Sequence, residues 1–274
     1  MSTFLEAVRE RVVIYDGATG TSLHARDLGP DDFGGTQLEG CPEVLNTTRP
    51  DVITDLHESF FAVGADVVET NSFGAMPWVL AEYGIADRAE ELARASARLA
   101  KDVATGHGGW VAGSLGPSTK SLPSLGWITF AEMRDGYEVT ARALLEGGVD
   151  LFIIETVQDP LQAKAAIIAA RRAMRAAGRE VPLQVQVTIE TNGRMLTGTE
   201  TGAALAALGA MRPDVLGLNC ATGPKEMGEH LRLLSKHSPF PIACLPNAGL
   251  PSVVDGRVHY DLGPEELAEY HARF

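Results

Sequence analysis

Three side chains define the chemistry open to this chain: the thiol of Cys220 and the carboxylates of Asp16 and Glu155. Cys220 falls where the β-rich apolar run Val215-Leu216-Gly217-Leu218 ends, and Ala221-Thr222-Gly223-Pro224 lead on into a helical stretch from Lys225. A thiol therefore stands between a strand and a helix, at the mouth where a parallel barrel collects its chemistry. The alternative for Cys220 is a small core hydrophobe, because free cysteine is among the most buried residue types. Glu155 directly follows the fully apolar Leu151-Phe152-Ile153-Ile154, where packing offers no reason for a carboxylate. Asp16 closes the short run Val12-Val13-Ile14-Tyr15 and precedes the turn Gly17-Ala18-Thr19-Gly20. Two carboxylates at strand ends can pair with a cationic amine; the alternatives are a helix N-cap for Asp16 and an ion pair for Glu155. Glu69, Asn71 and Ser114 are further strand-end candidates to line a pocket, though each could equally satisfy loop backbone groups. Asn219, next to Cys220, could brace it from behind, or equally satisfy loop backbone groups.

These residues need a scaffold that brings strand ends together, and the chain reads as one. Strand-like runs at 12–15, 66–70, 110–114, 151–154, 183–187, 215–218 and 241–245 alternate with helical stretches near 51–64, 86–105, 130–146, 160–177, 200–211, 225–237 and 264–274. Such alternation implies parallel strands joined by right-handed crossovers. The strands are short and mostly apolar, as expected when both sheet faces are covered. No Gly-x-Gly-x-x-Gly follows the first strand, and polar residues recur at nearly every strand end, so a closed (β/α)8 TIM barrel is favoured over a doubly wound sheet. The expected domain is a single barrel over 1–274, cut before its eighth strand and helix.

Composition narrows the function. The chain has 274 residues, a size suited to one such barrel. A net charge of −13 disfavours nucleic acid. No apolar run reaches membrane-spanning length, and the first residues lack the apolar core of a signal peptide. Cys41, Cys220 and Cys244 are too few and too scattered for a disulfide framework, which fits a reducing cytoplasm. Cys244, inside a strand, and Cys41, in a loop, read as packing residues. His24, His57 and His230 occupy ordinary helix or loop positions, and none is assigned as a ligand.

Six strings appear in order at strand ends: Asp16-Gly17-Ala18-Thr19-Gly20-Thr21, Glu69-Thr70-Asn71-Ser72-Phe73-Gly74, Gly113-Ser114-Leu115-Gly116-Pro117, Ile154-Glu155-Thr156, Gly217-Leu218-Asn219-Cys220 and Pro246-Asn247-Ala248-Gly249-Leu250-Pro251. Together they resemble the homocysteine S-methyltransferase family over nearly the whole chain. Within it they look most like the homocysteine-binding barrel of the cobalamin-dependent methionine synthase branch. The resemblance implies methyl transfer to the thiolate of homocysteine, giving methionine. It also implies a zinc ion at the barrel mouth, with Cys220 as one ligand and an adjacent cysteine pair beyond Phe274 as the other two. Asp16 and Glu155 would hold the substrate ammonium, and the N–H groups of Gly17 and Ala18 its carboxylate. Methylcobalamin would be the donor, presented by a cobalamin domain and recharged from a folate domain of the same parent chain. The alternatives are a stand-alone enzyme using betaine or S-methylmethionine, and a truncated barrel that binds without catalysing.

Overall fold

A computed structural model describes residues 3–118, 128–254, 257–260 and 262–274. The first half of the chain carries α1 (Phe4–Glu10), α2 (Thr19–His24), α3 (Leu45–Thr48), α4 (Pro50–Ala62), β1 (Val67–Glu69), α5 (Pro77–Leu80), α6 (Ala89–His107), β2 (Trp110–Leu115) and α7 (Phe130–Gly147). It continues with β3 (Leu151–Val157), α8 (Pro160–Ala177), β4 (Leu183–Val187), α9 (Thr201–Gly209), β5 (Val215–Asn219), α10 (Pro224–His237) and β6 (Ile242–Leu245). A hairpin of β7 (Pro251–Val254) and β8 (Arg257–Tyr260) precedes α11 (Pro264–Arg273). Strands β1 to β6 follow the order of the chain in one sheet, and β7 pairs β8 in a separate two-stranded sheet. The pairs β1–β2, β4–β5 and β5–β6 are parallel. This is an α/β fold built on a sequential parallel sheet.

The chain divides into two compact units: Met1–Ile153 with Ala165–Leu183, and Ile154–Lys164 with Gln184–Phe274. In the first unit, Leu23, Leu45, Val52, Ile53 and Leu56 form one apolar cluster. The alanine-rich α6 buries Leu92, Ala93, Ser96, Ala97, Ala100, Val103 and Ala104, a stripe at helical spacing. Its small side chains let α7 approach so closely that a Cβ on Gly147 would come 2.4 Å from the Cβ of Ala97. In the second unit the registers Val185↔Leu216 and Val187↔Leu218 place four apolar side chains on one sheet face. Gln184 pairs with Val215 and Gln186 with Gly217 on the opposite face, which Asn219 shares two residues further on. Helix α10 buries Met227, Leu231 and Leu234 along one side.

Three expectations change. The run 12–15 forms no regular strand; Tyr15 makes an isolated parallel bridge with Val67. Its backbone is tied by Ile14 and Asp16 to Asp66 and Val67, and Val12 (78 % exposed) and Ile14 (51 %) face outward, so little burial supports a longer ladder. The turn at Gly17–Gly20 and the polar stretch after it hold α2, which begins at Thr19, a 3-10 turn at Pro42–Val44 and α3. The connection between Gly249 and the last helix contains the β7–β8 hairpin, which periodicity alone had passed over.

Candidate functional site

The second unit gathers the ends of β3 and β5 around one amide. The side-chain oxygen of Asn219 accepts the backbone N–H of Thr156 at 2.8 Å, and its Nδ2 donates to the Thr156 hydroxyl at 2.8 Å. The same Nδ2 lies 3.3 Å from Oε2 of Glu155 and 3.5 Å from Sγ of Cys220. The Thr156 hydroxyl donates to Cys220 Sγ at 3.8 Å. Asn219 and Glu155 are buried, while Thr156 and Cys220 are half-exposed. A carboxylate and a thiol therefore share one amide as their hydrogen-bonding neighbour, at the open end of the strands.

The backbone here is unusual. Thr156, Cys220 and Ala221 have φ of 55°, 56° and 58°, in the left-handed region. That region costs an L-residue about 1–3 kcal/mol, most for a β-branched one. It turns Cys220 out of the alternation of β5, so that its sulfur lies beside the Asn219 amide. Hydrogen bonds hold the turn: Cys220 N–H to the Leu245 carbonyl (3.1 Å), Thr222 N–H to the Cys220 carbonyl (2.7 Å) and Asn247 N–H to the Thr222 carbonyl (3.2 Å). The Thr188 hydroxyl donates to the Asn219 carbonyl at 3.0 Å. Thr156 and Thr188 were not singled out from sequence; a threonine at a strand end carries no signal that its hydroxyl will be used.

The first unit holds the other sequence candidates. Asp16 donates its N–H to the Val67 carbonyl and accepts the Glu69 N–H on Oδ2 at 3.0 Å. Gly17 and Ala18 are exposed, and Ala18 caps α2 through its carbonyl. Glu69 is half-buried at the end of β1. Asn71 is buried, and its Nδ2 donates to the Pro42 carbonyl (2.8 Å) and to Asn46 Oδ1 (3.1 Å). Ser114 is buried in β2, with its N–H on the Thr70 hydroxyl and its carbonyl accepting from Ser72. Glu43, in a stretch that reads as a polar loop, is buried instead. It accepts the Gly74 N–H at 2.6 Å and the Cys41 thiol at 3.5 Å, and burial pushes its carboxyl up.

Burial, with Glu43 alongside, pushes Cys41 up to about 12, and burial does the same for Cys244. His230 shares a 2.8 Å hydrogen bond with Thr201. His57, on α4, is 1 % exposed with neither ring nitrogen in reach of a partner among the described residues, and burial lowers it to about 4. Among the described residues no group of three or more His, Cys, Asp or Glu could hold a metal ion. A cavity of about 920 Å³ opens between the loop after β4 and α10; it is lined by Thr222 but by none of Glu155, Thr156, Asn219 or Cys220. No described helix is long and apolar enough to cross a membrane.

Comparison with known proteins adds the following. The family model described as homocysteine S-methyltransferase matches residues 13–274. The methionine synthases of Mycobacterium tuberculosis (strain ATCC 25618 / H37Rv) and Mycobacterium leprae (strain TN) are each 49% identical over 275 residues, 98% of this chain. The chain spans 23% of the length of either relative. Among solved structures, the oxidized homocysteine methyltransferase MmuM from Escherichia coli superposes with a TM-score of 0.74 at 21% identity, covering 98% of this chain and 90% of that one. Its metallated form gives 0.73 at 22% identity over 88% and 86%. At these identities the likeness is one of fold.

Proposed function

Because this chain belongs to the homocysteine S-methyltransferase family, we propose that it binds homocysteine and takes part in methyl transfer to its sulfur, giving methionine. The single observation that carries the reading is the Asn219 amide shared by the Glu155 carboxylate and the Cys220 sulfur. An amino-acid thiol needs both kinds of partner: an anion for its ammonium and a means of making its sulfur nucleophilic. In this reading the scaffold is a (β/α)8 barrel of which residues 1–274 are one domain, working in the cytoplasm; the sequential sheet and the likeness to MmuM support the barrel.

Glu155 holds the substrate ammonium by a charge-assisted hydrogen bond. Asn219 fixes that carboxylate and the Cys220 sulfur with one planar group. The first unit's proposed contribution is Asp16, with the N–H groups of Gly17 and Ala18 for the substrate carboxylate and Glu69, Asn71 and Ser114 around them. The donor chemistry at Cys220 fits one ligand position of a zinc ion, since hydrogen-bond donors face its sulfur as they would a thiolate. The other two ligands are proposed, on the family resemblance, to be an adjacent pair of cysteines. Zinc with an open position supplies one thing: a bound thiol loses its proton near neutral pH.

The methyl donor is proposed to be methylcobalamin, presented by a cobalamin domain and recharged by a folate domain of the parent protein. The 49% identity to methionine synthases over a 23% share of their length supports this branch. The test is methyl transfer to homocysteine by the full-length protein, with zinc content measured in parallel. The expected result is turnover with methylcobalamin, and loss of both turnover and zinc in Cys220→Ala. Stoichiometric zinc at wild-type affinity in Cys220→Ala would remove the ligand assignment. Turnover with betaine or S-methylmethionine but not methylcobalamin would move the protein to another branch of the family.

A further inference from the structure

Resting on the reading of Cys220 as a thiolate donor, we infer that Thr156 is a positioning residue for the Cys220 sulfur: its hydroxyl proton is directed at Sγ by the Asn219 amide. The proton count makes the direction plain. An amide nitrogen can only donate, so at the 2.8 Å contact with Asn219 Nδ2 the Thr156 oxygen is the acceptor. Its own single proton is left over, and the sulfur stands 3.8 Å away as acceptor. Asn219 Nδ2 itself lies 3.5 Å from the same sulfur. Asn219 Nδ2 has only two protons for Thr156 Oγ1, Glu155 Oε2 and Sγ, with Sγ the most distant of the three, so the Thr156 hydroxyl is the donor that serves the sulfur, the arrangement that suits a deprotonated, ligating sulfur rather than a neutral thiol.

The backbone supports a specific role for this side chain. Thr156 has φ 55°, where glycine would sit without strain and a β-branched residue is a marked outlier. Asn219 holds it there from both ends, taking its N–H on Oδ1 and giving Nδ2–H to its hydroxyl. Branching at Cβ stiffens χ1, so the hydroxyl is aimed rather than left to rotate. Val matches the shape of Thr and keeps its backbone cost, but it puts a methyl group against the sulfur in place of a donor.

The experiment compares Thr156→Val, Thr156→Ala and Thr156→Ser in the full-length protein, with Cys220→Ala as control. The readouts are the rate of zinc loss to a chromogenic chelator and the sulfur-to-metal charge-transfer band after loading with Co²⁺. Loss of the donor is expected to speed zinc release about tenfold, as loss of a ligand's hydrogen-bonding neighbour typically does. It should also move the band to longer wavelength, because a sulfur freed of its donor is easier to oxidise. Val and Ala should agree, and Ser should restore both readouts to near wild type. Ala relieves the branching at Cβ, so it reports even if Val folds poorly. Wild-type zinc release and an unmoved band in both Val and Ala would overturn the role of Thr156. Retention of metal and band by Cys220→Ala would instead overturn the ligand reading, whatever the Thr156 variants do.

Discussion

Replacing His57 by Leu should flatten the loss of stability on acidification. The imidazole is 1 % exposed, with no hydrogen-bond partner for either nitrogen among the described residues, and burial lowers its pKa from 6.5 to about 4. Below pH 6.5 the unfolded chain takes up a proton at this ring while the folded chain does not. Protons therefore favour unfolding between pH 6.5 and about 4, and stability falls as the pH falls through that window. A tenfold difference in proton affinity is worth about 1.4 kcal/mol, so the ring costs about 2 kcal/mol at pH 5 and about 3 kcal/mol at pH 4, relative to pH 8. Above pH 7.5 the variant should be as stable as the parent or slightly more so, because a buried polar group without partners is removed. Urea unfolding at pH 8, 6, 5 and 4.5, followed by far-UV circular dichroism, measures both proteins. The parent should lose about 2 kcal/mol more than His57→Leu between pH 8 and pH 5. Parallel declines, within about 0.5 kcal/mol, would refute the reasoning and mean that the ring is solvated or partnered in solution.

Three further outcomes follow from the second unit. Gly217→Ala would set a Cβ 2.1 Å from the carbonyl oxygen of Ala243 on the neighbouring strand, so the variant should fail to accumulate as folded protein, read by soluble yield and circular dichroism. Gln186 is fully buried on the Asn219 face with both amide atoms out of reach of a partner among the described residues, so Gln186→Met should hold or raise the thermal midpoint; a drop of several degrees would show that the amide is satisfied after all. Asn219→Ala removes the partner of the Thr156 N–H and the lock on its backbone, and should cost about 2 kcal/mol or more by urea titration. An Asn219→Ala protein as stable as the parent would mean that the β3 and β5 ends hold their shape without that amide.

Much of this arrangement was legible in the residues. Leu151–Val157 and Pro224–His237 declare themselves by a continuous apolar run and by helical spacing after a proline, and the structure places both within a few residues of the reading. Glu155, Asn219 and Cys220 stood out because polar groups at the ends of apolar strands have no packing role, and they meet in one hydrogen-bonded cluster. What stayed hidden depends on partners far along the chain. Glu43 looks like a solvated loop residue until the Gly74 N–H and the Cys41 thiol close over it. The Val12–Tyr15 run has strand composition, but it meets Asp66 and Val67 through a few backbone hydrogen bonds and an isolated bridge rather than a regular ladder. The β7–β8 hairpin was the avoidable miss, since Asp255-Gly256 between Val253-Val254 and Val258 is a strong turn signal. Thr156 was beyond reach, because nothing in a sequence marks a β-branched residue for a left-handed backbone.

The left-handed turns at 156, 220 and 221 also bear on any effort to make this protein hardier. A thermostabilisation campaign that scores backbone comfort alone would nominate glycine at all three positions. At Thr156 and Cys220 that change would remove the hydroxyl and the sulfur on which the proposed chemistry rests. Ala221, whose side chain carries no polar atom, is the one place of the three where comfort and chemistry do not compete.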